Sequence, residues 1–470
     1  MNSNSEEILA RERGLKRSLT SRQLTMIGIG GAIGTGLFMG SGIALAYAGP
    51  GVLVSYVIAC FIALAVMYSL SEMSVAHPTA GSFGTYADLY LSPWIGFLVR
   101  YTYWAAQVVA LGGEAVAIGH YVQFWSPGMP VWASALIAGA GIFYVNSRSV
   151  ANFGSIEYWL STIKVTAIIA FILFGLANIF GVGTTATGFD NYLAAGGPFP
   201  HGFSGIWMAV LMAIFSFMGI EVIAVTAGEA ENPDVSLPKA MKTMLVRLLL
   251  FYFLALGVIL AIVPWNESGA TIVTQSPFVK VFANFGMLGA ATVMNFVIMS
   301  AALSSMNTNL YLCSRMLFSL ARAGKAPAAL GNLGARDTPW RATAVSVVGV
   351  AIAALIAYFS EKSYNYLLGI SLFGAVLTWI IILATHLRFR QRYPAERLEK
   401  LSVRAPFAPY LQWAGLALLV AVMVTMALDK DFWDLAFIVG VPWTIGISIV
   451  YFATRRRYAA ARTSAARGSD

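Results

Sequence analysis

The feature that most limits the possible folds of this chain is a series of apolar stretches along its whole length. They lie at roughly 24–47, 53–73, 95–121, 131–145, 159–180, 206–227, 245–263, 288–320, 343–359, 367–387, 411–428 and 432–451. A helix of about 20 residues crosses the ~30 Å hydrocarbon layer of a bilayer. With 58% hydrophobic and 11% charged residues, the composition is that of a polytopic membrane protein. We therefore predict an all-α membrane protein with about 12 transmembrane helices.

Lysine and arginine predict the orientation, because the cytoplasmic loops of membrane proteins are enriched in both. If the N-terminus is inside, three of the 30 Lys and Arg residues lie outside, namely Lys280, Lys362 and Lys430. Lys164 alone lies within the membrane. We expect both termini to be cytoplasmic. The net charge of +9 then reflects topology, and no nucleic-acid partner is expected because no basic domain is present.

The first apolar stretch contains the glycine-rich sequence GIGGAIGTGLF at 28–38. Glycine destabilises a helix by about 0.8–1 kcal/mol relative to alanine, so the cluster favours local unwinding. Tight packing is the alternative, since Gly30 and Gly34 have small-xxx-small spacing. A second interruption, FSFMGIE at 215–221, lies in the sixth stretch. Because the two interrupted helices are five apart, the pattern is typical of an inverted repeat whose broken helices 1 and 6 meet near the midplane.

The two breaks together predict a site for an α-amino acid. The half-helix after the first break presents N–H groups and a positive dipole, so Gly34, Thr35 and Gly36 would hold a carboxylate. Free carbonyls at the ends of the preceding half-helices would bind an ammonium. These carbonyls are those of Ala32, Phe215 and Met218.

Three segments carry a family resemblance: GIGGAIGTGLF from Gly28, FSFMGIEVIAVTAGEAENPDVSLPKAMK from Phe215 and SAALSSMNTNLYLCSRMLFSLARAGKAP from Ser300. From about 19 to 457 the chain resembles bacterial amino acid permeases of the amino acid–polyamine–organocation superfamily, in the aromatic, lysine and γ-aminobutyrate branch. The resemblance implies a five-plus-five inverted-repeat core, two extra C-terminal helices and proton-coupled uptake. It implies the same carboxylate and ammonium ligands, and a gate at Phe215. We add Ser216 and Gly219 to the predicted substrate-binding residues.

The expected organisation has four parts. Residues 1–23 form a cytoplasmic tail, 24–390 the transport core, 391–453 a cytoplasmic loop with helices 11 and 12, and 454–470 a second cytoplasmic tail. We expect an integral protein of the bacterial cytoplasmic membrane, in contact with lipids, as a monomer or weak homodimer. No metal or cofactor is expected, and the two cysteines, Cys60 and Cys313, have no metal-binding spacing.

Three ionisable residues are candidates for proton coupling. Lys164 lies deep in a predicted helix, where a lysine is costly unless it is paired, neutral or near water. The resemblance implies that it occupies the sodium position of sodium-coupled relatives, near the helix 1 break and helix 8; a structural tether is the alternative. Glu221 would cap the second half-helix of the second break or sense protons. Glu114 would face the substrate or pair with a hydroxyl.

The resemblance and the position of Lys164 favour a proton symporter. Phe215, Phe217 and Met218 offer apolar surface, which favours a neutral amino acid as the substrate. Further candidate pocket residues are Gln107, Ser216 and Asn307. The alternatives are an amino acid/polyamine exchanger and a permease for basic amino acids with Glu114 as the partner. An enzyme would show converging catalytic side chains and a sensor would carry an output domain, and neither is visible in the sequence.

Overall fold

The computed structural model describes Ile8 and residues 19–79, 81–148, 150–183, 185–194, 196–268, 276–334, 336–430 and 433–467. Within these residues the regular secondary structure is helical, apart from one isolated parallel bridge between Leu19 and Ala230. The all-α prediction is therefore confirmed. Most of residues 1–18 and the last three residues, which belong to the predicted tails, lie outside the described part.

The described part of the chain is a succession of α-helices. They are α1 (Ser21–Ala32), α2 (Ser41–Ala48), α3 (Val52–Ala76), α4 (Ser82–Tyr90), α5 (Pro93–Gln123), α6 (Val131–Asn146), α7 (Val150–Ile179), α8 (Gly202–Phe217), α9 (Val222–Val225), α10 (Pro233–Ile262), α11 (Trp265–Ser268), α12 (Pro277–Asn284), α13 (Leu288–Arg322), α14 (Trp340–Phe359), α15 (Ser363–Arg392), α16 (Ala395–Leu398), α17 (Tyr410–Leu428) and α18 (Asp434–Arg467).

Nine segments of the described chain are long and apolar enough to cross a membrane. One of them, Ser21–Ala76, has 56 residues and includes α1, α2 and α3. The apolar helix α6 is shorter than the rest, with 16 residues. A bilayer crossing needs about 20 helical residues, so repeated segments of this kind establish an integral membrane protein.

Both interruptions predicted from the sequence are present. α1 ends at Ala32, Ile33 leaves the helical region with φ −96° and ψ 83°, and a π-helix follows at Gly36–Gly40. α8 ends at Phe217, and α9 begins only at Val222. Between them Gly219 has φ +95°, a conformation that side chains other than glycine rarely adopt.

The two interrupted helices touch through their backbones. A Cβ atom on Gly219 would lie 2.4 Å from the Gly31 carbonyl oxygen, and one on Gly36 would lie 2.9 Å from Ser216 Cα. The Ser216 hydroxyl donates to the Gly36 carbonyl at 3.0 Å. Glycine is needed at these positions because the backbones approach too closely for any side chain.

Long helices surround the two breaks. α5 packs most extensively against α13 and α15, while α7 packs against α1, α10 and α13. α5 brings Gln107 and Glu114 to the first break, and α7 brings Lys164 to it from another side. Long helices thus bring the polar side chains of the site to the breaks.

Candidate substrate site at the two helix breaks

A cavity with about 350 Å³ of atom-free space lies where the two breaks meet. Its lining residues come from both breaks, from α5 and from α13: Gly31, Ala32, Gly34, Gly36, Gln107, Ala110, Glu114, Phe215, Met218, Gly219, Ser305 and Asn309. The wall thus combines backbone from both broken helices with a few polar side chains.

A second cavity, with about 190 Å³ of atom-free space, adjoins the first. The two share Ala110, Glu114 and Phe215. The remaining lining residues are Thr35, Gly113, Tyr364, Leu367, Leu368 and Ser371. Phe215 is half-buried and borders both spaces. A rotation of this ring would therefore change how the two cavities communicate.

Glu114 lies directly beside the segment 34–36, which is predicted to bind the substrate carboxylate. Its Oε1 accepts a hydrogen bond from the Thr35 backbone N–H at 3.4 Å, and a Cβ on Gly34 would lie 2.8 Å from the same oxygen. Among the described residues its Oε2 has no hydrogen-bond partner. The Thr35 hydroxyl accepts from Tyr364 Oη at 3.0 Å. The Glu114 carboxylate thus already accepts a hydrogen bond from the Thr35 N–H, one of the donors predicted to bind the substrate carboxylate.

Tyr252 on α10 joins the two breaks from behind the cavity. Its hydroxyl lies 2.7 Å from the Ala32 carbonyl oxygen and 2.6 Å from that of Ser216. A hydroxyl donates one hydrogen bond, so Tyr252 satisfies one of these carbonyls at a time. The sequence analysis missed this residue, and no local signal distinguishes it from the other tyrosines of the chain.

Lys164 is buried and makes three hydrogen bonds. Its Nζ donates to the carbonyl oxygens of Gly30 at 2.7 Å and Ile33 at 2.8 Å, and to Ser304 Oγ at 2.8 Å. The first two acceptors belong to the first break and the third to α13. The ammonium therefore joins α7 to both of these helices.

A further buried carboxylate, Glu157, lies on the same face of α7. It accepts from Asn307 Nδ2 at 2.9 Å and from Ser161 Oγ at 3.3 Å, and it contacts Ser304 Oγ. The sequence analysis missed it because the fifth apolar stretch was placed from 159, whereas α7 begins at Val150. Its spacing of seven residues from Lys164, two helical turns, is the signal that would have found it.

Glu221 lies at the second break but not in the cavity wall. Its carboxylate accepts from the Gly219 backbone N–H at 3.2 Å and from Tyr103 Oη at 2.9 Å. It is fully buried. In this arrangement Glu221 satisfies a backbone donor that the break leaves free.

Three other candidate residues have side chains directed away from the cavity. The Ser216 hydroxyl bonds to the first broken helix, as described above. The Phe217 ring lies 5.0 Å from that of Tyr252, measured between centroids. The Asn307 amide bonds to Glu157 and accepts from Asn146 Nδ2 at 2.8 Å. Ser305 and Asn309 of the same helix α13 line the cavity instead.

A separate cluster lies near the start of α1. Arg315 on α13 forms a buried ion pair with Glu229 at 2.8 Å. The Leu19 N–H donates to the Glu229 carbonyl, and the Glu231 N–H donates to the Leu19 carbonyl, both at 3.1 Å. These contacts hold the segment before α1 against the segment after α9.

Comparison with known proteins agrees with this architecture. Residues 23–462 match the family described as "Amino acid permease". The chain is 39% identical over 442 residues to the "Uncharacterized amino acid permease YtnA" of Bacillus subtilis (strain 168), with 93% of this chain and 95% of that protein covered.

Two relatives with named substrates are similarly close. The chain is 36% identical to the "Gamma-aminobutyric acid permease" of Bacillus subtilis (strain 168), with 97% of both proteins covered. It is 38% identical to the "Aromatic amino acid transport protein AroP" of Escherichia coli (strain K12), with 93% of this chain and 95% of that protein covered. The chain therefore belongs to the amino acid permease family, and it is an integral membrane transporter of amino acids rather than an enzyme.

Proposed function

We propose that this permease is a proton-coupled symporter that imports a neutral amino acid across the bacterial cytoplasmic membrane. The observation that carries the proposal is the position of Lys164, whose ammonium is held by carbonyls of the first break next to the cavity. A lysine can lose its charge, and charge-assisted hydrogen bonds are roughly twice as strong as neutral ones. Protonation would therefore strengthen the hold of α7 on α1 and α13, and so favour one conformation over another.

The proposal includes the twelve-helix, five-plus-five arrangement with cytoplasmic termini. Nine candidate spans become twelve when Ser21–Ala76 is divided at the Gly49–Gly51 turn and when α5 and α6 are counted as crossings. The interrupted helices are then the first and the sixth. α17 and α18 are the two helices beyond the repeats.

In the proposed binding mode, the substrate zwitterion lies between the two breaks. Its carboxylate takes the N–H groups at Gly34–Gly36, and its ammonium takes carbonyls near Ala32 and Met218. An ionised Glu114 would repel this carboxylate by about 4 kcal/mol at a separation of about 4 Å and an effective dielectric constant of about 20. The free Oε2 of Glu114 offers a second contact for the ammonium, which would offset this repulsion.

The cavity walls favour a neutral side chain. Ala110, Phe215 and Met218 border the first cavity, and Leu367 and Leu368 border the second. A basic amino acid is the second candidate, because the unpartnered Oε2 of Glu114 would also bind a cationic side chain. Strong competition by lysine or arginine that is lost in Glu114→Gln would favour this second candidate.

The test is uptake into proteoliposomes with an imposed pH gradient, alkaline inside. A labelled amino acid should accumulate above its external concentration, with unlabelled neutral amino acids as the best competitors. Accumulation that ignores the pH gradient but requires an internal amino acid or polyamine would instead identify an exchanger.

A further inference from the structure

Glu157 and Lys164 form the two ends of a short hydrogen-bonded chain below the substrate cavity. The two residues lie about 10 Å apart along the axis of α7, given the 1.5 Å rise per residue. Glu157 is the one nearer to Val150, where α7 begins. In the proposed topology that end of α7 is cytoplasmic. Neither side chain is exposed.

Ser304 is the middle member of this chain. Its Oγ is 2.8 Å from Lys164 Nζ and contacts Glu157 Oε1. An ammonium donates hydrogen bonds and cannot accept them, whereas a carboxylate accepts and cannot donate. The hydroxyl therefore accepts from Lys164 and donates to Glu157, and the direction of the chain is fixed.

A further ionisable group near this hydrogen-bonded chain is Glu114. Among the described residues, the carboxylates of Glu157 and Glu114 lie near enough to Lys164 for charge interactions with it. The described residues that donate hydrogen bonds to Glu157 are neutral, namely Ser161, Ser304 and Asn307. Glu114 borders the cavity, whereas Glu157 lies away from it. Of the two carboxylates, Glu114 is thus the one that lines the cavity.

We propose that Glu157 accepts the coupling proton from Lys164 and that the Ser304 hydroxyl relays it. This inference rests on the proton coupling proposed above. One N–H bond of the ammonium breaks and its proton binds Ser304 Oγ, while the hydroxyl proton of Ser304 passes to Glu157 Oε1. The products are a neutral amine, an intact hydroxyl and a carboxylic acid.

The transfer leaves the net charge of the buried region unchanged, because one positive and one negative group become neutral together. An unpaired charge is costly in a medium of low dielectric constant. Neutralising both groups together therefore costs less free energy than neutralising either one alone. A neutral lysine holds the Gly30 and Ile33 carbonyls more weakly. Transfer to Glu157 would therefore loosen α7 from the first break.

The experiment compares Glu157→Gln and Ser304→Ala with the matched control Ser161→Ala. Ser161 also contacts Glu157 Oε1 but is bonded to the Met26 carbonyl rather than to Lys164. Proteoliposomes carry an internal pH dye, and the probe is a ¹⁴C-labelled mixture of the common L-amino acids. Two rates are measured: accumulation driven by a pH gradient, and counterflow exchange at equal pH.

The wild type and Ser161→Ala should accumulate the label and acidify the interior. Glu157→Gln and Ser304→Ala should lose gradient-driven accumulation by roughly 100-fold, the size of effect expected when a positioned proton acceptor is removed. Their counterflow should remain, because exchange of substrate needs no net proton transfer. Ser304→Thr retains a hydroxyl and should recover accumulation.

Full gradient-driven accumulation by Glu157→Gln would overturn the inference, as would equal losses in Ser161→Ala and Ser304→Ala. If Ser304→Ala also loses counterflow, the result for Ser304→Thr is decisive. Recovery of gradient-driven accumulation in Ser304→Thr supports the relay, and no recovery refutes it. A wild type that ignores the pH gradient would refute the proton coupling itself, which is a distinguishable result.

Discussion

The contact between the two helix breaks can be tested by adding one methyl group at Gly219, in the variant Gly219→Ala. In Gly219→Ala the new Cβ would lie 2.4 Å from the Gly31 carbonyl oxygen, whereas ordinary contact begins near 3.4 Å. The two backbones would therefore have to separate by about 1 Å. Gly219 also has φ +95°, and left-handed backbone costs other residues roughly 1–2 kcal/mol.

A misplacement of about 1 Å in a binding site can reduce activity roughly 100-fold. This loss corresponds to about 2.7 kcal/mol. We therefore expect kcat/KM for uptake to fall by about two orders of magnitude. The expected Tm in detergent is lower than that of the wild type, because the strain is present in the folded state.

The matched control is Gly40→Ala, in the π-helix of the first broken helix. Its Cβ would meet Met212 Cε at 3.3 Å, the end of a flexible side chain that can move away. This variant should transport as the wild type does. If Gly219→Ala retained uptake within about threefold while keeping its Tm, the backbone contact would not be needed for substrate binding, and our reasoning would be refuted.

Four further results are expected. Amino acid esters and N-acetyl amino acids should compete poorly with the parent compound for uptake, because each lacks one charge of the zwitterion; equal competition would contradict the two-break site. Lys164→Ala should lose accumulation driven by a pH gradient, and sodium should not restore it; continued accumulation would show that the proton travels elsewhere. Gly36→Val should abolish uptake, since its Cβ is directed at Ser216 Cα and would separate the broken helices; wild-type uptake would show that this spacing is not needed. Arg315→Ala leaves Glu229 buried without its ion pair, and such changes typically lower the free energy of unfolding by about 3–5 kcal/mol. We therefore expect a lower Tm and slower uptake than in Arg315→Lys. Equal values for both variants would exclude a role for the pair.

The breaks themselves could be predicted from the sequence because they are encoded locally. Glycines cluster at Gly28–Gly36, and Gly219 interrupts an otherwise apolar helix. Backbone unwinding needs no knowledge of neighbouring helices. For the same reason residues of the breaks that line the cavity, such as Ala32 and Met218, could be named as candidates from the sequence.

Side chains that reach the site from other helices were harder to predict, because helix rotation decides their direction. Asn307 and Asn309 are two positions apart and therefore point about 200° apart around α13. Asn309 faces the cavity, while Asn307 bonds to Glu157. Their residue types are identical, and packing alone separates their roles.

The apolar stretch predicted from the sequence is also shorter than the helix α7 that contains it. An apolar window identifies the part of a helix within hydrocarbon and omits a polar end that protein covers. Glu157 lies in such an end and is fully buried. Burial by neighbouring helices rather than by lipid is a tertiary property, so hydropathy could not reveal it.

The bridge between Leu19 and the segment after α9 makes the residues just before α1 an intramolecular ligand. Its two backbone hydrogen bonds contribute about 1–3 kcal/mol in total, at roughly 0.5–1.5 kcal/mol each. A ligand that binds one conformation shifts the equilibrium by its difference in affinity. Because Leu19 and the segment after α9 belong to one chain, the effective concentration of this ligand is high without any second molecule. A transport step that separates the two segments would have to break both of these hydrogen bonds.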